Sequence, residues 1–548
     1  MVAACSSGAQ SDTVTPTQTQ HSKARANGLV NPSTLVSDTF VSGKLSSKGG
    51  PFLTDSKGRT VYLRGVNAVY KRAPYTLTVN PGQPNTLGED DAKRIASLGF
   101  NVVRLGVIWA GIEPGTGGPN QPAVCTKGTP KDPNMWNQKV ADAYLSQVQA
   151  VVNLLGKYHI YSLIDMHQDI YSSVFSGEGA PAWAVCTDGN PVVIYPGRWS
   201  NNYSNPAVDA SFQNFFFNSV TGDLQGEYDR SWAAVATKFK NNAWVVGYDP
   251  INEPLSLQPY KGQDNLLYAQ GLSCLYGGSG GDTWQIASNA TVPCPTSVPK
   301  VGLVPQLLAN DPNHLVFPEI DNATDQGKTL YITRARTYDR IVFNFHDYCP
   351  QRSGQTGNPT DLVSCSNTEL SQLINESQKR PMYATKQQPG GPAIMMTEFG
   401  ATNDLNLAQL LVLDAGTVGL NWAWWSWRYY DDPTGSSSEA IISTPDNTYS
   451  PVVAALSETR TVAVDGAVLA AQASQATGMY SLVYKAAAEA PTTIYISPVA
   501  YLQTGYCTYV TGGTISSKPG SQYLTIKSGS RGTTVTVRVE PGSCVPGL

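Results

Sequence analysis

The chain has 548 residues, a formal net charge of −4 and 14% charged residues, with no long run of Lys and Arg, which argues against a nucleic-acid partner. No apolar stretch reaches the length needed to span a bilayer, and the size suits a large domain plus a smaller module better than one continuous core. Aromatics reach 9%, with 28 Tyr and 11 Trp, a composition common in secreted carbohydrate-active proteins.

Met1-Val2-Ala3-Ala4-Cys5 looks like the end of a bacterial lipoprotein signal, so Cys5 is a candidate for lipidation and the protein is expected to be secreted or tethered at the cell surface. A frayed terminus with a chance cysteine is the plainer alternative. Residues 6–36 are rich in Ser, Thr, Gln and Asn and read as a disordered tether, giving a first segment of 1–42.

Globular patterning begins near Gly43. Residues 60–67 read as a buried strand, 90–98 as a helix stopped by Gly99, 101–105 as a strand, 140–158 as a helix and 160–165 as a strand. Further strands fit at 245–248, 315–317, 341–345, 393–397 and 419–424. Eight strands alternating with helices predict an α/β fold, a (β/α)8 TIM barrel over 43–450. An open doubly wound sheet is the alternative, but no Gly-rich phosphate loop follows the first strand.

In such a barrel the chemistry sits on the loops after the strands. The strand tips are then Asn67, Arg104, His167 with Asp169, Asn252 with Glu253, Glu319, His346 with Tyr348, Glu398, and Trp425. Long segments at 174–232 and 255–304 are expected on the same face, where they would shape specificity. Phe212, Phe215, Phe216 and Phe217 in the first form either an apolar track for lipid chains or the core of an insertion helix. From 451 to 548, period-two segments between Gly, Pro and Ser turns predict a C-terminal antiparallel β-sandwich packed on the barrel.

Setting Cys5 aside, eight cysteines remain with no C-x-x-C spacing, which favours disulfides in an oxidising compartment over a metal site. Neighbour pairing suggests Cys274–Cys294, Cys349–Cys365 and Cys507–Cys544, leaving Cys125–Cys186; it is a preference among about 105 connectivities.

Two apolar strands end on glutamates, in Asn252-Glu253-Pro254 and Thr397-Glu398-Phe399-Gly400. One such Glu could simply cap a helix. Two at opposed tips, with carboxyls about 5–5.5 Å apart, can instead hydrolyse a glycoside with retention. Asn252 can bond a sugar 2-hydroxyl beside Glu253, whereas Arg104, His346 and Tyr348 can stabilise an ionised Glu398, so Glu253 is assigned the acid/base role and Glu398 the nucleophile. Structural readings compete at several positions: Arg104 as an ion-pair partner and His167 and His346 as orienting histidines; Asp165, Asp249 and Glu319 compete as carboxylates, with Asp165 and Asp249 placed equally well for supporting hydrogen bonds.

Together with Val103-Arg104-Leu105, His346-Asp347-Tyr348 and Trp424-Trp425, these motifs resemble glycoside hydrolase family five. Asp165-Met166-His167-Gln168-Asp169, Gly179-Ala180-Pro181-Ala182-Trp183 and the stretch from Asn67 to Tyr75 resemble its endoglycoceramidase branch. The resemblance runs from about Gly43 to the C-terminus. It implies cleavage between glycan and ceramide of a glycosphingolipid, with Glu253 and Glu398 catalytic. Arg104, His167, Asn252, His346 and Tyr348 would surround the sugar, Trp425 would form its stacking floor, and Lys71, Asp169 and Trp183 would contact the glycan. It implies no metal or organic cofactor, and a monomer in contact with a membrane surface and with no nucleic acid is expected. Two rivals stand beside it: a family-five enzyme for another apolar glycoside (steryl or flavonoid) or a β-glucan, and a non-catalytic surface glycolipid-binding protein.

Overall fold

The computed structural model describes residues 20–24, 41, 43–47, 52–115, 136–196, 199–220, 222–254, 266–280, 285–286, 294–319, 332–333, 340–348, 371, 391–443, 446–474, 477–501 and 505–542. Eight parallel strands form the central sheet: β1 (Arg64–Ala68), β2 (Val102–Val107), β3 (Tyr161–Met166), β4 (Val245–Asp249), β5 (Leu315–Val316), β6 (Val342–Asp347), β7 (Ala393–Phe399) and β8 (Asn421–Trp424). Their spatial order is β6-β7-β8-β1-β2-β3-β4-β5. Parallel bridges Val316 to Ile341 and Glu319 to Asn344 join β5 to β6 and close the ring.

The strands read as unbroken apolar runs because helices cover their outer faces and side chains fill the barrel; every residue of β2, β3 and β7 is buried. The helix Glu89–Ser97 buries Ala92, Ile95 and Ala96, and Gly99 follows it at φ +75°, the left-handed turn glycine makes at least cost. Helix Gln138–Lys157 likewise turns Leu145, Val148, Val152 and Leu155 inward at helical spacing.

The segment expected to be one strand over 60–67 is divided between two sheets. Thr60–Val61 pairs antiparallel with Arg460–Val464 of the C-terminal module, and only Arg64–Ala68 enters the barrel. Two sheets form that module. One runs Gly513–Ile515, Tyr523–Ser528, Thr492–Tyr495, Arg460–Val464, Thr60–Val61, Leu53–Thr54; the other Gln20–Ala24, Tyr506–Thr511, Thr534–Pro541, Met479–Ala486, Gly466–Ser474. Tyr480, Leu482, Tyr484, Val535, Val537 and Val539 lie in their shared core. Gln20–Ala24 corrects the expectation of a structureless tether: it adds an edge strand to Tyr506–Thr511, satisfying backbone groups that an edge would leave open.

The sandwich packs on the N-terminal end of the barrel, where Val462, Tyr495 and Tyr523 share a cluster with Leu63, Leu163, Val246 and Met395. Arg460 stacks on Phe100 and Trp422 and donates to the carbonyl of Leu98 at 3.0 Å, a cation at a helix C-terminus. That leaves the opposite end, the strand tips, open for chemistry.

Cys274 and Cys294 are bonded. Cys186 and Cys507 are also disulfide-bonded, while their expected partners Cys125 and Cys544, and the pair Cys349 and Cys365, lie outside the described residues, as does Cys5. The aromatic run of the first insertion is core: Phe212, Phe215 and Phe216 are buried in helix Pro206–Phe216 and pack on Tyr171, Trp109 and Tyr228, which removes them as a lipid track.

Candidate active site

Arg104, at the middle of β2, organises the barrel mouth. Its side chain is fully buried and its planar fork reaches five acceptors on four other strands or their tips. Nη1 donates to Glu398 Oε1 at 2.5 Å and Asn67 Oδ1 at 3.2 Å. Nη2 donates to Asp165 Oδ1 at 2.9 Å, Asp249 Oδ2 at 2.9 Å and Asn252 Oδ1 at 2.8 Å. Burial opposes its charge, but Asp165, Asp249 and Glu398 outweigh that and keep the guanidinium charged well beyond its ordinary range. Asp165 and Asp249 are in turn each pushed up to about 7, by burial first, with Arg104 pulling the other way.

Glu398 ends β7 and is nearly enclosed. Besides Arg104 it accepts from the Tyr348 hydroxyl at 2.8 Å through Oε2. Its carboxyl is pushed up to about 7 by burial, with Glu253 pushing the same way and His346, Arg104 and Tyr348 pulling it down. The glycine after Phe399 has a steric reason: at φ +88°, a Cβ on Gly400 would meet the Trp424 ring at 2.4 Å.

Glu253 lies just past β4 with its side chain 17% exposed, against 5% for Glu398. Its backbone sits at φ +37°, a left-handed conformation that a non-glycine residue holds only when its surroundings fix it. They do: its N–H donates to Glu319 Oε2 at 2.9 Å, and its carbonyl accepts from Gln168 Nε2 at 2.9 Å. His346 Nδ1 stands 2.9 Å from Glu253 Oε1 and 3.6 Å from Glu398 Oε2, so one ring nitrogen spans the two carboxyls. Burial lowers His346 to about 3, leaving a neutral imidazole. Carboxyl oxygens of Glu253 and Glu398 and the His346 nitrogen all lie within 4.8 Å of one another.

A second buried cluster flanks the first. Lys71 Nζ donates to Asp169 Oδ2 at 2.6 Å and Thr434 Oγ1 at 2.8 Å, and pairs with Asp432 at 3.1 Å. Burial opposes its charge, while Asp169, Asp432 and Glu178 raise it well above the usual lysine range. The ammonium lies 4.5 Å above the Trp425 ring, and His167 stacks on the same indole at 5.5 Å. His167 Nδ1 contacts Asp165 Oδ2 at 2.7 Å, and burial with Lys71 nearby drives its pKa well below the ordinary value. His167, Asp169 and Glu178 are close enough to share an ion, but the Lys71 ammonium at Asp169 already supplies the positive charge there.

The structure thus brings together Glu253, Glu398, Arg104, His346, Tyr348 and Asn252, with Lys71, His167, Asp169 and Trp425 adjoining. Asn252 is held at both ends, accepting from Arg104 and donating to the carbonyl of Gln168 at 3.0 Å. Trp183 is a correction. It is wholly buried, donates to the carbonyl of Glu113 at 3.1 Å and packs edge-on against Trp109, so it offers no face to a ligand. Sequence reasoning missed Gln168, Asn344, Asp432, Thr434 and Glu178. Asn344, inside β6, donates to Asp249 Oδ2 at 2.9 Å, an amide out of place in an apolar run and legible as such. Asp432 and Thr434 lie in an irregular loop after β8, where no period marks them.

The family described as cellulase (glycosyl hydrolase family 5) matches residues 54–431, and the glycoside hydrolase family 5 C-terminal domain matches residues 459–539. The chain is 32% identical over 230 residues to the endoglycoceramidase of Cyanea nozakii, covering 38% of this chain and 41% of that protein. It is 25% identical over 524 residues to endoglycoceramidase I of Rhodococcus hoagii, covering 90% and 88%. Among solved structures, endo-glycoceramidase II from Rhodococcus sp. in its ganglioside GM3 complex superimposes with a TM-score of 0.66 at 23% identity, over 90% of this chain and 100% of that one.

Proposed function

Because this chain belongs to glycosyl hydrolase family 5, we propose that it hydrolyses, with retention, the β-glycosidic bond between the glycan and the ceramide of glycosphingolipids. The observation that carries the reaction type is the approach of the Glu253 and Glu398 carboxyls to within 4.8 Å across the barrel mouth. That is close to the separation of a retaining pair, about 5–5.5 Å, and too short for the interposed water of an inverting one, about 6.5–9.5 Å. The substrate class is supported by endoglycoceramidase I of Rhodococcus hoagii, to which the chain is similar along most of its length.

In the first step an ionised Glu398 oxygen attacks the anomeric carbon while the bond to the ceramide oxygen breaks and that oxygen takes the proton of Glu253. A glycosyl ester and free ceramide result. Water then gives a proton to Glu253 and attacks the same carbon, releasing the glycan and returning Glu398 to its carboxylate. The donors on Glu398, Arg104 and Tyr348, favour its charged form before attack and again as it leaves. Asn252 and His167 are buried beside these groups, Asn252 bonded to Arg104 and Gln168 and His167 Nδ1 set against Asp165, so they help fix the shape of the site.

Contact with a lipid surface is supported by Val192, Val193 and Ile194, consecutive aliphatics 46%, 42% and 47% exposed in the segment that follows β3. The Cys274–Cys294 bond supports an oxidising compartment, hence secretion or cell-surface tethering through Cys5. One chain supplies every residue of the site, so a monomer suffices.

The test is a substrate panel of lactosylceramide, steryl glucoside and a soluble β-glucan. Release of intact lactose from the first, lowered on the order of a thousandfold or more by Glu398→Gln and by Glu253→Gln, is expected. Preference for the sterol or the glucan would reassign the substrate, and full turnover by either variant would remove the mechanism.

A further inference from the structure

Resting on that reading, we propose that Glu319, beyond the end of β5, is a positioning residue for the acid/base: it fixes the Glu253 backbone and selects which His346 nitrogen carries the proton. Glu319 is completely buried. One oxygen, Oε2, accepts the N–H of Glu253 at 2.9 Å and lies 3.4 Å from His346 Nε2, while His346 Nδ1 lies 2.9 Å from Glu253 Oε1. The carboxyl therefore holds the Glu253 peptide by a hydrogen bond and stands within 3.4 Å of the imidazole that faces the Glu253 side chain. The bridge from Glu319 to Asn344 sets it in the barrel wall, and its carbonyl accepts from the buried Tyr276 hydroxyl at 2.6 Å.

A neutral imidazole carries one N–H. If Glu319 accepts from Nε2, then Nδ1 is an acceptor and stabilises the protonated form of Glu253, the form that must protonate a leaving oxygen. If the N–H is on Nδ1, it stabilises the Glu253 carboxylate instead, the form that must take a proton from water. Glu319 thus sits where both half-reactions are tuned. Burial, Asp249 and Glu253 push its carboxyl well above the usual range, while Arg104 pulls it down. A carboxyl poised in this way can accept from Nε2 or donate to it. A leucine in its place offers Nε2 no acceptor, which leaves the N–H on Nδ1 and favours ionised Glu253.

Glu319→Leu is therefore compared with wild type on two β-glycosides of the same sugar: one whose alkoxide leaving group needs a proton and a glycosyl fluoride that needs little help. The expected result is a fall in kcat/KM for the alkyl glycoside at least about tenfold larger than for the fluoride, with the basic limb of its pH profile moved to lower pH. Equal losses on the two substrates, or none, would overturn the proposal, since a structural role does not distinguish leaving groups. If the variant lacks a cooperative thermal transition, Glu319→Asp, which keeps the charge but retracts it, takes its place and is expected to show the same selectivity to a smaller degree; equal losses there overturn the proposal as well. Failure of wild type to cleave either glycoside would instead strike the proposed function, so the two failures are distinguishable.

Discussion

Arg104 and Lys71 are both buried cations set among three carboxyl groups, yet the two clusters are built differently. The acceptors of Arg104 sit on β1, β3, β4, β7 and their tips, elements that the barrel holds rigidly. Lys71 and its partners Asp169, Asp432 and Thr434 all lie on loops. A guanidinium spreads directed donors over several acceptors, whereas an ammonium is a point charge on a flexible stem. On the proposed reading, the first cluster suits the reacting carboxyl, which tolerates little displacement, and the second suits recognition of varied hydroxyls beside Trp425.

The sharpest way to break this contrast is to replace each cation. Arg104→Met leaves Asp165, Asp249 and Glu398 without their counter-charge, and removing one partner of a buried ion pair costs about 3–5 kcal/mol. The sign with pH follows from the carboxyls. Asp165 and Asp249 already stand at about 7 in the folded chain, against about 3.9 unfolded, so the fold gives up stability as pH rises from about 4. Without Arg104 the folded values rise further and the loss continues past 7. The deficit in Tm is expected to be smallest near pH 4 and to widen toward pH 8. A deficit constant over that range would mean that Arg104 does not set those protonation states.

Lys71→Met should do less. Loop partners can relax, and a lost sugar contact of ordinary strength raises KM about tenfold, some 1.4 kcal/mol, with kcat changed only a few-fold. Steady-state kinetics on a lactoside checks it; a fall in kcat with KM unmoved would place Lys71 with the reacting groups and erase the distinction between the clusters.

The same division explains what the sequence made legible. Arg104 inside an apolar run, and runs ending on Glu253, His346 and Glu398, stand out because a buried strand has little use for such polar groups, and the barrel follows from counting the runs. Thr60–Val61 was misread because period and β-propensity describe a strand without naming the sheet it joins; the partner Arg460–Val464 is far along the chain. Trp183 failed for a related reason, since its motif could not tell an indole lining a cleft from one locked against Trp109. Asp432 and Thr434 left no mark because a loop carries no period, and Gln20–Ala24 because pairing to an edge needs few apolar residues.

A last substitution tests the Arg104 cluster from its far side. The Tyr348 hydroxyl donates to Glu398 Oε2 at 2.8 Å and is one of the groups holding that carboxyl down against burial. Tyr348→Phe removes the donor and keeps the ring. A hydrogen bond to a charged group contributes about 1.5–3 kcal/mol, which corresponds to roughly one to two pKa units. Glu398 must be ionised to attack, so raising its pKa shrinks the reactive fraction at low pH and moves the acid limb of kcat/KM to higher pH by about that amount. Lys71→Met, measured alongside, should leave the limb where it is, because Lys71 bonds to Asp169 and Thr434 and not to Glu398. A limb that moves in the Lys71 variant and stays fixed in the Tyr348 variant would reverse the division of labour between the two clusters.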